Sequence, residues 1–305
     1  MKKNALILTV LTVIAGLVAF FLRRRELATV FEPDGLARRG AAVSVILLVL
    51  CVLAVIVLIV LSIRLAGERG VRGGYAEVFH VSGPVPTVIS ALLGIAMIAA
   101  AFLNYRSAAA GGTRAVVEGA VGLLAALAGV GGFALAVNAR RRSGGCALPA
   151  VLVTLFVCFF ILVTYKKRAT DPVLLNYMYD FVALCFSALS TLFIAGFAFD
   201  RASPRKALWV SFAAAFFCFI GAADSLGEWT LVFYIFLIVY QLMHGYLLTA
   251  AFRAHEELAP EPPSQAEEEA YAEVLAEFEE PAQNGVPEEN GASGEIDAPD
   301  NGDRS

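Results

Sequence analysis

Eight long apolar runs, separated by basic clusters and Gly/Pro breaks, constrain this chain more than any other feature of it. A bilayer's hydrocarbon core is about 30 Å thick and takes about 20 helical residues to cross. Lipid offers the backbone no hydrogen-bond partners, so a run of that length has to close its own bonds as a helix. The runs cover residues 5–22, 41–63, 84–103, 115–137, 147–165, 172–199, 207–223 and 229–251. The second is the clearest, with no charged residue in 23 positions. The seventh is the weakest, with only 17 residues. The sixth has a defined start, with Asp171 as N-cap and Pro172 in the first turn.

The balance of residues agrees. Of 305 residues, 59% are hydrophobic and 16% charged, against nearer a quarter charged in a soluble domain. The charge is also divided. Residues 1–253 carry 22 Lys/Arg against 11 Asp/Glu, whereas residues 254–305 carry 16 acids against Arg304 alone. The expected fold is therefore an all-α, polytopic membrane helix bundle of about eight transmembrane helices over 1–253. An acidic, mostly disordered C-terminal tail follows over 254–305.

The first run has the basic start of a signal peptide, at Lys2 and Lys3. No small-x-small cleavage site precedes Arg23, so it reads as a retained anchor. Positive charge is nearly balanced between the two faces, twelve Lys/Arg on the N-terminal side against ten on the other. The loop 224–228 has no Lys or Arg and abuts Trp229, which suits an outer face. The expectation is a multi-pass protein of the cell membrane with both termini cytoplasmic. The five cysteines show no CxxC or ligand spacing and read as small packing residues. Neither a metal nor another cofactor is implied.

Small residues crowd the fourth run: Gly122, Ala125, Ala126, Gly129, Gly132 and Ala136. Such rows let helix backbones approach closely, which predicts the fourth span at the centre of the bundle. No internal repeat is visible of the kind that inverted-repeat transporters carry.

Ionisable groups inside a membrane are costly and are functional candidates by default. The sixth run carries Asn176, Asp180, Ser187 and Thr191 on one helical face. Asp180 falls about 12 Å along the helix from Pro172, where it reaches headgroups, pairs with Lys166 or Arg168, or lines a cavity. The eighth run carries Tyr234, Gln241 and His244 on one face, with Tyr240 adjacent. His244 reads either as a hydrogen-bonded packing residue or as a proton relay. Glu118 sits four residues after Arg114 and pairs with it at the interface. In an eight-span arrangement Glu118, Asp180, Asp224 and Glu228 form an acidic rim on the face opposite the termini, with His244 nearer the other face.

In the tail, Ser264-Gln265-Ala266-Glu267 is a capping-box pattern. Tyr271, Val274, Leu275 and Phe278 follow at helical spacing, and Pro281 ends the stretch. This predicts a short amphipathic helix near 265–280. Its acidic outer face argues against lying on a membrane surface and leaves docking in a protein groove, folding onto the basic loops, or a merely solubilising role.

Catalytic patterns are wanting. Asp34-Gly35-Leu36-Ala37-Arg38-Arg39 resembles the start of the membrane phosphatidyltransferase motif. Its Ala and Arg stand one position early, and residues 41–63 lack the paired aspartates needed downstream, so the reading is set aside. No HExxH, GxSxG or GxxxxGK pattern occurs, so no zinc helix, nucleophile turn or phosphate loop is implied. Two functional classes stay open. One is a non-enzymatic sensor, regulator or assembly factor that acts through protein partners, by way of the tail. The other is a small-solute or cation permease with a polar cavity lined by transmembrane helices 4, 6 and 8. Its residues would be Glu118, Asn176, Asp180, Ser187, Thr191, Gln241 and His244. Nothing points to nucleic acid, and the ligand of a permease stays undefined.

Overall fold

The computed structural model describes residues 2–31, 38, 40–66, 71, 73–109, 114–168, 173, 177–224 and 227–257. Among them are nine α-helices, one 3-10 turn and no β-strand. In chain order the helices are α1 (Lys2–Thr29), α2 (Ala42–Ala66), α3 (Tyr75–Val78), α4 (Val85–Ala109) and α5 (Arg114–Arg141). They continue with α6 (Ala147–Arg168), α7 (Met178–Gly196), α8 (Pro204–Ala223) and α9 (Glu228–Glu257). All but the single-turn α3 are long and apolar enough to cross a membrane. The chain is thus a polytopic membrane protein of eight α-helical spans, as the apolar runs require. The tail residues Tyr271, Val274, Leu275 and Phe278 lie outside the described residues, as do Asp171, Pro172 and Asn176.

Local chemistry sets several of the helix ends. Pro204 opens α8, where its missing N–H leaves no bond unmade. Lys166, Lys167 and Arg168 stand in the last turn of α6, against the negative end of its dipole. The tight turn from α5 to α6 uses left-handed backbone at Arg142 and Gly145. α7 begins at Met178, with Tyr177 in non-helical backbone as its N-cap. The expected depth of Asp180, about two turns in from Pro172, is therefore corrected. Asp180 is in the first turn of α7, where a carboxylate faces the positive end of the helix dipole.

The centre of the bundle also differs from expectation. α8 is the axial helix, with 83% of an 18-residue apolar stretch buried, against 50% for α5 and 17% for α2. It packs against α1, α2, α7 and α9. The reason lies in what surrounds each helix. α2 faces lipid on most sides and has the highest mean hydropathy, 3.6, whereas α8 faces other helices and has the lowest, 1.7. A helix covered all round by protein can use Ala213, Ala214, Ala215 and Ser211 where a lipid-facing one uses Leu and Val. The run that looked weakest is weak because it is enclosed.

The small residues of α5 do permit close packing, but against the neighbours on its two sides, α4 and α6. A Cβ built on Gly129 would stand 2.9 Å from the Met97 Cβ and 3.0 Å from the Gly94 carbonyl oxygen. One built on Gly131 would stand 2.8 Å from the Pro149 carbonyl oxygen. Backbone meets backbone at both seams, so α5 is a flank of the bundle stitched to a helix on either side.

Candidate functional site: a buried ion cluster and a polar seam

α1 runs past its apolar stretch and carries Arg23 and Glu26 into the protein, both with no exposed side-chain surface. The Arg23 Nη1 lies 2.6 Å from Glu26 Oε2, and its Nε lies 2.7 Å from Asp224 Oδ1 at the end of α8. The Tyr179 ring, at the start of α7, stands 4.9 Å from the guanidinium carbon, close enough for cation–π attraction. One residue further on, Asp180 accepts from Arg168 Nη2 at 3.2 Å and from the Tyr234 hydroxyl at 3.0 Å. This face of the bundle, opposite the one where α1 begins, thus gathers three buried carboxylates and two guanidinium groups. Among the described residues, two carboxylate oxygens, Glu26 Oε1 and Asp224 Oδ2, are buried without a hydrogen-bond partner.

Glu118 belongs to the same face but not to the cluster. Its Oε1 pairs with Lys167 Nζ at 2.6 Å, and Asn104 Nδ2 donates to its backbone and side-chain oxygens. Lys167 is 45% exposed, and such a pair contributes little. The side chain of Arg114, its expected partner, lies outside the described residues, as does that of Glu228.

A polar seam runs through the apolar interior where α7, α8 and α9 meet. Ser187 Oγ lies 3.1 Å from Cys218 Sγ. Ser190 donates to Gln241 Oε1, and Gln241 Nε2 donates to the Ser187 carbonyl at 3.5 Å. Ser211 Oγ is 2.8 Å from Ser190 Oγ and 2.7 Å from the Ala207 carbonyl, so its single proton has two acceptors to choose from. Thr191 donates to the Ala188 carbonyl at 3.0 Å. The seam joins side chains seven residues from Asp180 and Tyr234, about 10 Å along either helix, so it is separate from the ion cluster.

His244 sits towards the opposite face, against α3. Its Nδ1 is 2.7 Å from the Tyr240 carbonyl, which can only accept. Nδ1 therefore carries the proton, and Nε2 accepts from the Tyr75 hydroxyl at 2.7 Å. Burial pushes the Tyr75 phenol well above its usual range, which keeps that donor protonated. The histidine borders a void of about 20 Å³, close to the room one water needs.

Of the residues named from the sequence, Ser187 and Gln241 are brought together. Asp180 lies beyond one end of their seam, and Glu118 and His244 stand on opposite faces. Sequence reasoning missed Arg23, Glu26 and Tyr75. Arg23 looked like one of three flanking arginines, and Tyr75 like part of a loop. The available signal was Glu26, an acid three residues after Arg23 on the same helical face. Among the described residues, no group of three or more His, Cys, Asp or Glu is placed to hold a metal ion.

Fold and site together define an α-helical, multi-pass integral membrane protein with ion pairs enclosed in its bundle. No protein-family model matches the chain, and neither do any curated protein or any solved structure.

Proposed function

We propose that this protein is a non-enzymatic regulator or assembly factor of the membrane, which works by holding protein partners. The observation that carries the reading is the closure of the polar groups along α7, α8 and α9. Ser187 with Cys218, and Ser190 with Ser211 and Gln241, bond to one another inside a packed interior. Groups paired across three helices lock a bundle in one arrangement, which suits a scaffold. The recognition elements on this reading are the lipid-facing helices and the tail residues Tyr271, Val274, Leu275 and Phe278.

The test is complex size in native membranes. In mild detergent, the full chain is expected to migrate within a larger assembly on native electrophoresis. Removing residues 262–281 is expected to release it, whereas Asp180→Asn leaves the assembly intact. An assembly indifferent to the deletion would overturn the reading.

A cation or proton permease is the second reading, favoured by Glu26 Oε1 and Asp224 Oδ2, which stand buried beside Arg23 with no hydrogen-bond partner among the described residues. On that reading liposomes containing the purified protein show a proton or cation flux that Asp180→Asn or Asp224→Asn abolishes.

A further inference from the structure

α6 and α7 form a hairpin whose two helices are held together near the face opposite the start of α1, where Tyr165 packs edge-on against Phe181. Towards the other face they leave a hollow of about 500 Å³. Val151 and Leu155 of α6 line one wall, and Leu192 of α7 lines the other. These three side chains are 40–55% exposed, so the hollow opens outward to the bilayer. Val151 and Cys158 both line it, two turns apart and about 10 Å along the helix. Its long axis therefore runs from the interface into the hydrocarbon, a shape for a chain rather than for a compact solute.

At the interfacial end the lining changes to Arg201 and Ser203. The turn that places them is built. α7 passes into the 3-10 turn Phe197–Phe199, and Asp200 adopts left-handed backbone at φ 54°. The Arg201 N–H then bonds back to the Gly196 carbonyl at 2.9 Å. A Cβ on Gly196 would come within 2.9 Å of the Arg201 carbonyl oxygen, so the glycine is what lets the chain fold back this tightly. The Asp200 carboxylate lies beside Gly74. The same face carries the exposed side chains of Arg140, Arg141, Arg142, Arg205 and Lys206, outside the lining.

We infer that this hollow is a binding site for an anionic glycerophospholipid, with an acyl chain between α6 and α7 and the phosphate against Arg201 and the Ser203 hydroxyl. A guanidinium matches a phosphate in two parallel hydrogen bonds. The acyl chain meets an apolar wall that already faces its own kind. Arg201, the basic residue of the lining, favours an anionic headgroup over a zwitterionic one, by about fivefold for one such charge near the surface.

Native mass spectrometry of the detergent-purified full chain tests this, with phosphatidylglycerol and phosphatidylcholine of identical acyl chains as probes. The wild type is expected to bind the first phosphatidylglycerol about fivefold more tightly than phosphatidylcholine. Arg201→Gln removes that preference, weakening phosphatidylglycerol more than phosphatidylcholine. Leu192→Trp, which fills the hollow, weakens both lipids, and Thr154→Trp does the same from the opposite wall. Lys206→Gln, on the same face but outside the lining, keeps the preference. A preference that survives Arg201→Gln, or binding that neither tryptophan variant weakens, overturns the assignment.

Discussion

Arg23 and Asp224, 201 residues apart in the chain, meet at 2.7 Å between Nε and Oδ1 with almost no exposed surface on either side chain. The contact ties the end of the first span to the end of the axial helix. It does so where charge is most costly to enclose, and removing one member leaves the others uncompensated. Arg23→Met abandons both Glu26 and Asp224 and is expected to destabilise by about 3–5 kcal/mol, a fall in Tm in detergent of about 10 °C or more. Asp224→Asn costs less, because Glu26 still compensates the guanidinium. In the double variant the losses are expected to fall short of their sum, and a double-mutant cycle on Tm reads that coupling. Strict additivity would mean that the pair stabilises nothing.

The seams of α5 make a second, sharply local prediction. Gly129→Val drives a branched side chain into the Met97 Cβ and the Gly94 carbonyl. Backbone cannot rotate out of the way, so overpacking of about 1–3 kcal/mol is expected. At Gly119 a Cβ would meet the Tyr105 ring at 3.5 Å, an ordinary contact. Gly119→Ala should therefore be neutral or stabilise slightly, through the better helix propensity of alanine. Thermal unfolding of the two variants beside the wild type checks the contrast, and equal effects would contradict the packing described.

The spans and their order were legible in the sequence because lipid exposure forces a long, uniformly apolar run. The interior was harder to read for the same reason. α8 is surrounded by protein, so its Ala, Ser and Gly look like weakness rather than centrality. Arg23 was obscured because an arginine at the end of a span ordinarily reaches for headgroups. Glu26, one turn on, was a faint local sign, and the distant partner Asp224 shows that Arg23 turns inward. The pairing of Asp180 with Arg168 was one of the options visible in the spacing, whereas its place in the first turn of α7 depended on where the helix begins. Tyr75 could not have been linked to His244 across 169 positions without a fold.

That tyrosine carries a third prediction. Tyr75→Phe keeps the ring contacts with Phe79 and His244 but deletes the donor to Nε2. A buried acceptor left without its donor costs about 1–3 kcal/mol. His244→Phe removes both the acceptor and the Nδ1 donor, so a single Tyr75→Phe change and the double change with His244→Phe should differ by less than either does from wild type. Tm in detergent measures all three. If Tyr75→Phe matches wild type, Nε2 does not depend on the phenol.

The last prediction concerns sidedness. Gly144 lies in the α5–α6 turn on the face where α1 begins, and Arg106 lies near the far end of α4 on the opposite face; both are exposed. In a background without the five native cysteines, Gly144→Cys and Arg106→Cys should react with an impermeant maleimide from opposite sides of the membrane. The near balance of basic residues makes orientation depend on few groups. The loop between α8 and α9 has no Lys or Arg and borders Trp229, whereas the other face gathers Arg140, Arg141, Arg142, Arg201, Arg205 and Lys206. Positive charge is retained on the cytoplasmic side, so Gly144→Cys is expected to label only in inverted vesicles and Arg106→Cys in intact cells. The reverse pattern would turn the ion cluster of Arg23, Asp180 and Asp224 towards the cytoplasm and place the termini outside. Labelling of both from one side would break the eight-span order itself.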